Sequence, residues 1–331
     1  MRAIFIRHIF FIIFPLILSF YVFPILIKTA FRFNILDVPD GKIKNHKRAI
    51  PYLGGAGLYI PFIATLSIAY PFENKILWFF LGVTFLFFLG LVDDLKILHP
   101  AQKLFGQMLA VLCFLKGGFS LKNNFLSDFL NIGMSSFWML LVINAFNLVD
   151  IMDGLSSLLA IISSFSFLII ALLLKQYDIS ILILAFLSPL LVFFYYNKPP
   201  AKIYLGDSGS LFIGGFLAAL PLLFPWSSQS FDAYYTAVII LGIPLLEVFS
   251  LIVIRSWLKI PFYKGSPHHF AIFLKHKGWS VLKILIFILI MSFFLSIIAI
   301  FFLFGFINFY TLFFLGIIFL VIWCYFIFSK I

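Results

Sequence analysis

A chain of 331 residues that is 64% hydrophobic and only 11% charged is far from a soluble domain, where about 45–50% of residues are apolar and about 25% charged. Lipid has to be the solvent for much of its surface. The net charge of +11 could suggest a nucleic-acid partner, but in a membrane protein it fits cytoplasmic loops facing anionic lipid. Cys113 and Cys324 lie in apolar runs and offer neither a disulfide framework nor metal spacing.

In chain order, the apolar stretches predict eleven spans, at 8–27, 53–71, 76–92, 104–116, 135–149, 156–174, 179–196, 208–225, 234–258, 282–304 and 309–329. A helix needs about 20 apolar residues to cross the hydrocarbon core, so the stretch at 104–116 must borrow from its loops. The first run follows Arg2 and Arg7 but is too long for a signal peptide and lacks a small-residue cleavage site, which predicts a retained span. The 48 phenylalanines read as lipid-facing and core bulk. The expected fold is an all-α polytopic membrane protein of about 11 transmembrane helices, with residues 1–331 forming a single transmembrane domain.

Charge divides by side. All Lys and Arg except Arg2, Arg7, Lys75, Lys116, Lys122 and Lys175 fall in the loops after spans 1, 3, 5, 7 and 9 or at the C-terminus. The basic excess marks the cytoplasmic side, so the N-terminus is expected outside and the C-terminus inside. Asp37, Asp40, Asp93, Asp94, Asp150, Asp153 and Asp207 share that side. Glu73, Asp128, Asp178 and Asp232 are scattered singly on the other, as solvated loop acids.

The inner acids sit in compact runs. In the first cytoplasmic loop, Asp37-Val-Pro-Asp-Gly-Lys42 leads through His46, Lys47 and Arg48 to Pro51 and Gly54-Gly55; its charge suits either a lipid-headgroup anchor or a phosphate cradle. Asp93-Asp94 ends span 3. Adjacent carboxylates at a membrane surface repel and call for a cation or basic partner, and Mg²⁺ prefers a few carboxylates plus phosphate oxygens. Asn144, Asn147, Asp150 and Asp153 recur in steps of three, which predicts one helical ridge facing a wet cavity; a polar helix–helix seam is the competing reading. Tyr204-Leu-Gly-Asp207-Ser-Gly-Ser210 allows close backbone approach and supplies another carboxylate. The Gly-x-Gly-Asp and Pro-Ala-Leu runs of intramembrane aspartyl proteases are missing. In Ser266-Pro-His268-His269, neighbouring histidines suit phosphate or sugar contacts; zinc lacks a nearby Cys or an i, i+4 His partner. His8, His99 and His276 show no pattern. Glu247 lies inside span 9 near Pro244, where it can bond a freed backbone group or Arg255.

Together these runs resemble the polyprenyl-phosphate N-acetylhexosamine-1-phosphate transferase family, which includes the MraY and WecA enzymes. The resemblance covers nearly the whole chain and rests on five motifs in order: Asp-x-Pro…Lys…His…Pro…Gly-Gly, Asp93-Asp94, Asn147…Asp150…Asp153-Gly, Gly206-Asp207-x-Gly-Ser, and the His pair. It implies transfer of a sugar-1-phosphate, GlcNAc-1-phosphate by preference, from a UDP-N-acetyl amino sugar to undecaprenyl or another polyprenyl phosphate, with release of UMP. The setting implied is the cytoplasmic face of a bacterial cytoplasmic membrane, at the first membrane step of an envelope glycan such as lipopolysaccharide or teichoic acid. Mg²⁺, with Mn²⁺ as a substitute, is the implied cofactor and a homodimer is compatible. By the family pattern Asp93, Asp94, Asp207, Lys103 and His268 are catalytic. Asn147, Asp150, Asp153, His269, His46 and Lys47 bind substrate, and Asp94, Asp207 and Asp150 take the metal.

The Asp-x-Pro loop and the eleventh span look like the WecA branch. The sequence departs from MraY-type chains in Ile50-Pro-Tyr-Leu-Gly-Gly55 and in having two histidines before Phe270, and from the WecA branch in Lys264-Gly-Ser-Pro-His-His. An MraY-type transferase of MurNAc-pentapeptide phosphate is the second reading. A transporter with an acidic cation path is the third; it expects carboxylates near mid-membrane, where only Glu247 lies.

Overall fold

The computed structural model describes residues 2–38, 49–71, 73–123, 125–225, 233–261 and 267–328. Its helices are α1 (Arg2–Arg32), α2 (Gly54–Ala69), α3 (Asn74–Leu95), α4 (Pro100–Lys116), α5 (Asp128–Leu148), α6 (Leu155–Leu173), α7 (Tyr177–Asn197), α8 (Gly206–Ala219, continued by a 3₁₀ turn at Leu220–Leu223), α9 (Ala233–Ile240), α10 (Gly242–Trp257), α11 (Phe270–His276), α12 (Val281–Leu303) and α13 (Phe309–Phe328). Each of the eleven predicted stretches coincides with a helix or helix pair. Eight helices among the described residues are long and apolar enough to cross a membrane, and nine if the bent pair α9–α10 is one span. The protein is therefore an all-α polytopic membrane protein. Two of the expected spans, α2 and α4, are only 16 and 17 residues long, which is where the count of eleven and the count by length diverge.

One small departure from all-α is a two-residue antiparallel ladder. β1 (Leu36–Asp37) pairs with β2 (Ile50–Pro51), Leu36 opposite Pro51, and so brackets the first loop. His46 and Lys47, expected to touch substrate, lie in 39–48, outside the described residues.

Helix α8 is the hub. It packs most extensively on α3 and α5, and every residue from Ser208 to Ala219 is buried. Its neighbours contribute interlocking rings: Phe186 of α7 stacks on Phe216 of α8 at 3.9 Å between centroids, and Phe62 of α2 meets Phe186, Phe212 and Phe216 edge-on. Edge-on pairs of this kind add about 0.5–1.5 kcal/mol each beyond burial. The phenylalanine bias thus serves two solvents, since Phe5, Phe129, Phe137 and Phe306 project outward. Between lipid-facing and core positions the composition hardly changes, so no strong amphipathic signal marks these helices.

The span 234–258 is broken into α9 and α10, bent by 74°. The break lies at Leu241, not at Pro244. Pro244 sits in the first turn of α10, where its missing N–H has no intrahelical partner to lose.

The polar groups collect at two ends of the bundle. At one, Arg7 pairs with Asp178 at 3.0 Å, His8 Nε2 meets Ser180 Oγ at 2.7 Å, and Tyr70 donates to the Asp178 carbonyl. Asp178 is thus an ion-pair partner and not the solitary loop acid the sequence suggested. Asp178 is largely exposed and Arg7 partly so, so solvent screens the pair and it contributes little, at most about 1 kcal/mol. The other end carries the candidate site.

Candidate active site

The site is built where α3, α4, α5 and α8 meet, and glycines make the meeting possible. A Cβ on Gly90 would lie 2.3 Å from the Asp207 carbonyl oxygen, so α3 and α8 approach backbone to backbone. At Gly55 a Cβ would lie 2.3 Å from the Gly209 nitrogen. The segment before α2 is also stitched to the approach to α8: Tyr204 donates its N–H to Pro51, and Gly54 and Gly55 donate theirs to Tyr204 and Leu205, at 2.7–3.0 Å. Gly206 then turns the chain into α8 with φ +73°, a left-handed conformation that favours glycine.

Asp93 and Asp94 divide their work. Successive helical residues diverge by about 100°, so the two carboxylates cannot share one partner. Asp94 reaches across to α8, where Oδ1 accepts the Asp207 N–H at 2.7 Å and Oδ2 the Ser208 N–H at 3.0 Å. The first-turn N–H groups of α8 lack intrahelical acceptors, and Leu205 before it supplies no side-chain cap. An acid on another helix fills that place, favoured also by the positive end of the helix dipole. Asp94→Asn keeps the shape but presents one of these donors to an NH₂ group. It is expected to lower stability by about 1–2 kcal/mol, read as an earlier thermal unfolding midpoint in detergent.

Asp93 turns to α4. Its Oδ2 lies 2.8 Å from Lys103 Nζ, and its Oδ1 accepts the Leu98 N–H at 2.7 Å. The same ammonium lies 2.8 Å from Asp207 Oδ2 and donates to Asn147 Oδ1 at 3.4 Å. Asn147 in turn donates to Asp207 Oδ1 and to Ser210 Oγ. Lys103 therefore bridges two carboxylates from helices distant in sequence. Asp93 is buried, Lys103 nearly so, and the Asp207 side chain is 33% exposed, so the cluster opens toward solvent at Asp207. His99, which looked patternless in sequence, caps α4 in a reciprocal box with Gln102 and so aims the helix that carries Lys103.

The predicted ridge of Asn144, Asn147, Asp150 and Asp153 is interrupted. Helix α5 ends at Leu148, leaving Asp150 and Asp153 in the turn before α6. Asn144 forms a reciprocal amide pair with Gln107 of α4, at 3.2 and 2.8 Å; it is the polar helix–helix seam. Asn147 alone carries the helix's polarity into the site. Asp153 accepts the Ala201 N–H at 3.0 Å and ties the turn to the segment after α7. Asp150 keeps part of its surface accessible but is densely surrounded. Lost hydration, reinforced by the charges of Asp207, Asp94 and Asp153, pushes its carboxyl well above the usual carboxylate range.

His268 and His269 precede α11, and no hydrogen bond joins either to the Lys103 cluster among the described residues. His269 bonds instead to Glu247 at 2.9 Å. The sequence flagged both residues but gave no sign that they meet.

The residues 76–224 match the model of Glycosyl transferase family 4. The chain is 32% identical over 288 residues to a phospho-N-acetylmuramoyl-pentapeptide-transferase of Enterococcus hirae, covering 79% of this chain and 86% of that one. It is 30% identical to an undecaprenyl-phosphate alpha-N-acetylglucosaminyl 1-phosphate transferase of Thermotoga maritima, covering 82% and 84%. With a probable undecaprenyl-phosphate N-acetylglucosaminyl 1-phosphate transferase of Bacillus subtilis it shares 28%, over 84% and 80%. The chain belongs to the polyprenyl-phosphate sugar-1-phosphate transferase family. Asp93, Asp94, Lys103, Asn147, Asp150 and Asp207 all fall inside the matched segment; Glu247 and the two histidines fall outside it.

As to a metal, the described residues gather no group of three His, Cys, Asp or Glu around one point. A dedicated protein cage is not the only way to hold Mg²⁺, which commonly takes one or two carboxylates and completes its shell with substrate phosphates and water. The acids fit that mode. Asp207 is partly accessible and Asp150 lies near it; Asp207 carries Asn147 and Lys103 on its two oxygens and Asp94 an N–H on each of its own, so both offer their remaining lone pairs.

Proposed function

We propose that the protein transfers GlcNAc-1-phosphate from UDP-GlcNAc to undecaprenyl phosphate, releasing UMP. The observation that carries the reading is the Lys103 ammonium held between Asp93 and Asp207 at the end of the helical bundle. With the carboxylate charge taken up by Mg²⁺, the ammonium would meet an anionic donor, and the apolar helices keep an acceptor's prenyl tail in lipid while its phosphate reaches water. The basic excess of the loops at that end supports a cytoplasmic site, an outside N-terminus and an inside C-terminus. The Asp-x-Pro run of the basic first cytoplasmic loop and a span at α13 support the WecA-like reading of a single transferase domain.

The acceptor phosphate is already an anion and needs little help from a base. The protein's part is positioning and charge compensation. Lys103 offers its ammonium to the phosphate oxygens, Asn147 holds Asp207 in place, and Asp150, Asp153 and His269 shape the donor side. Asp207 and Asp150, with the spare capacity of Asp94, would hold Mg²⁺. Bound there, the ion would neutralise charge developing on the donor's diphosphate.

Purified protein given undecaprenyl phosphate, Mg²⁺ and labelled UDP-GlcNAc should yield a lipid-linked product and UMP, and EDTA should reduce the rate at least about a hundredfold. Product from no donor in a panel of UDP-sugars would sink the assignment. UDP-MurNAc-pentapeptide belongs in that panel, because the Enterococcus hirae relative carries that specificity in its name. The transporter reading loses ground, since Glu247 is fully buried and already paired with His269.

A further inference from the structure

Glu247 is 0% exposed and His269 6%. An unpaired carboxylate at that depth is strongly disfavoured, so the acid is retained for what it holds. It holds two things. Oε1 lies 2.9 Å from His269 Nδ1 and Oε2 accepts the Phe270 N–H at 3.4 Å. Both oxygens thus act on the two residues where the loop enters α11, and His269 makes no capping bond of its own. With Nδ1 engaged, Nε2 is the ring's remaining polar atom. It has no hydrogen-bond partner among the described residues, yet it is not among the side-chain atoms sealed from solvent without one. His268 is the reverse case: its Nδ1 is buried and without a partner among the described residues.

The origin of Glu247 matters as well. It lies on α10, beyond the 74° break from α9. The break swings α10 away from the line of α9 and brings a carboxylate from inside a hydrophobic span to the histidine loop. Arg255, two turns further along α10, is also buried and adds positive charge to this neighbourhood.

We infer that Glu247 is a positioning residue that fixes the ring of His269 by accepting from Nδ1–H, so that Nε2 is the edge presented to the phosphate or sugar of the donor. This rests on the transferase reading above and deepens it. A carboxylate behind an imidazole sets tautomer and orientation together, and such outer partners typically matter 10–100-fold for activity. Glutamine at 247 preserves size and one acceptor but removes the charge and the symmetric carboxylate.

The test uses the full chain in detergent with UDP-GlcNAc and undecaprenyl phosphate, as wild type, Glu247→Gln, His269→Gln and the double variant. Glu247→Gln should lower kcat/KM about 10–100-fold with at most a small fall in the unfolding midpoint, because the Phe270 N–H bond it weakens is already long at 3.4 Å. In the His269→Gln background the same change should add less than about threefold, because the group it orients is gone. Effects that multiply in the double variant would overturn the inference and make Glu247 a general structural acid. A second readout does not depend on turnover. In ¹⁵N-histidine solid-state spectra, the Nδ1–H signal assigned to His269 by its loss in His269→Gln should shift in Glu247→Gln. An unshifted signal rejects the pairing. If wild type forms no product with any donor, the transferase reading fails by itself, while the spectra still decide whether Glu247 fixes the ring.

Discussion

Lys103→Met should reduce turnover by about a hundred- to a thousandfold, the usual cost of removing one preorganised charge-stabilising donor. The side chain is chosen for its similar length, so that the loss is of charge and not of bulk. Its ammonium lies 2.8 Å from both Asp93 and Asp207. Without it two carboxylates face one another, one of them buried, and breaking a buried pair by removing one partner costs about 3–5 kcal/mol. The exposure of Asp207 discounts this toward the lower figure, because solvent screens the open side. Steady-state transfer and thermal unfolding should therefore both suffer. Adding Asp93→Asn to Lys103→Met should restore much of the unfolding midpoint, since the repulsion is relieved, yet none of the turnover. Recovery of activity in the double variant would show that the lysine serves the fold and not the reaction.

Gly90→Val should abolish transfer through packing alone. The first atom of any side chain at Gly90 falls 2.3 Å from the Asp207 carbonyl oxygen and 2.4 Å from both the Asp207 carbonyl carbon and the Ser208 nitrogen. These are backbone atoms and cannot rotate away. Helices α3 and α8 must separate, which costs about 1–3 kcal/mol or more in a packed interior, and the separation pulls Asp94 from the N–H groups it caps. Gly133 on α5 is the control: nothing lies within 4 Å of its Cβ position. Gly133→Ala should be neutral or stabilising by up to about 1 kcal/mol, as expected for a helical glycine with room. Equal losses in both variants would mean that α3 and α8 are not in backbone contact.

The contrast between these glycines shows what a sequence conceals. Gly90 and Gly133 look alike in the chain, each set in an apolar run, and only the opposing helix distinguishes them. The broad architecture was legible because lipid imposes long apolar runs and a charge asymmetry. The cluster of Asp93, Lys103, Asn147 and Asp207 was legible as a set of polar groups on one side. What could not be read was the division of labour. Asp93 and Asp94 are adjacent, which invites a shared role, but helical geometry sends one to α4 and the other to α8. The steps of three from Asn144 to Asp153 imitate a helical ridge because nothing in that spacing marks the end of α5 at Leu148. Glu247 and His269 are 22 residues apart across a break whose angle no local propensity encodes. His99 was passed over because a histidine is an uncommon N-cap; the signal available was Gln102 three residues on, with Pro100 opening the helix.

The cap that Asp94 places on α8 has a consequence for how the protein is made. The donor and acceptor of that contact are 113 residues apart in the chain, and the strands of backbone joined at Pro51, Gly54 and Gly55 wait still longer for Tyr204 and Leu205. A ribosome that adds about 5–20 residues per second leaves Asp94 without its partners for seconds after α3 has emerged, although Lys103 follows Asp93 almost at once. Closing so long a loop carries an entropic cost that must be met before any contact rewards it. The assembled site is thus a late event in biogenesis, and α8 is its keystone: a nascent chain released before Gly206 leaves Asp94 uncapped at the membrane surface, Asp93 with Lys103 alone, and no hub for its neighbours to pack on. Such a fragment is expected to be cleared by membrane proteases, whereas one extending through Leu223 has every helix of the Lys103 cluster in place.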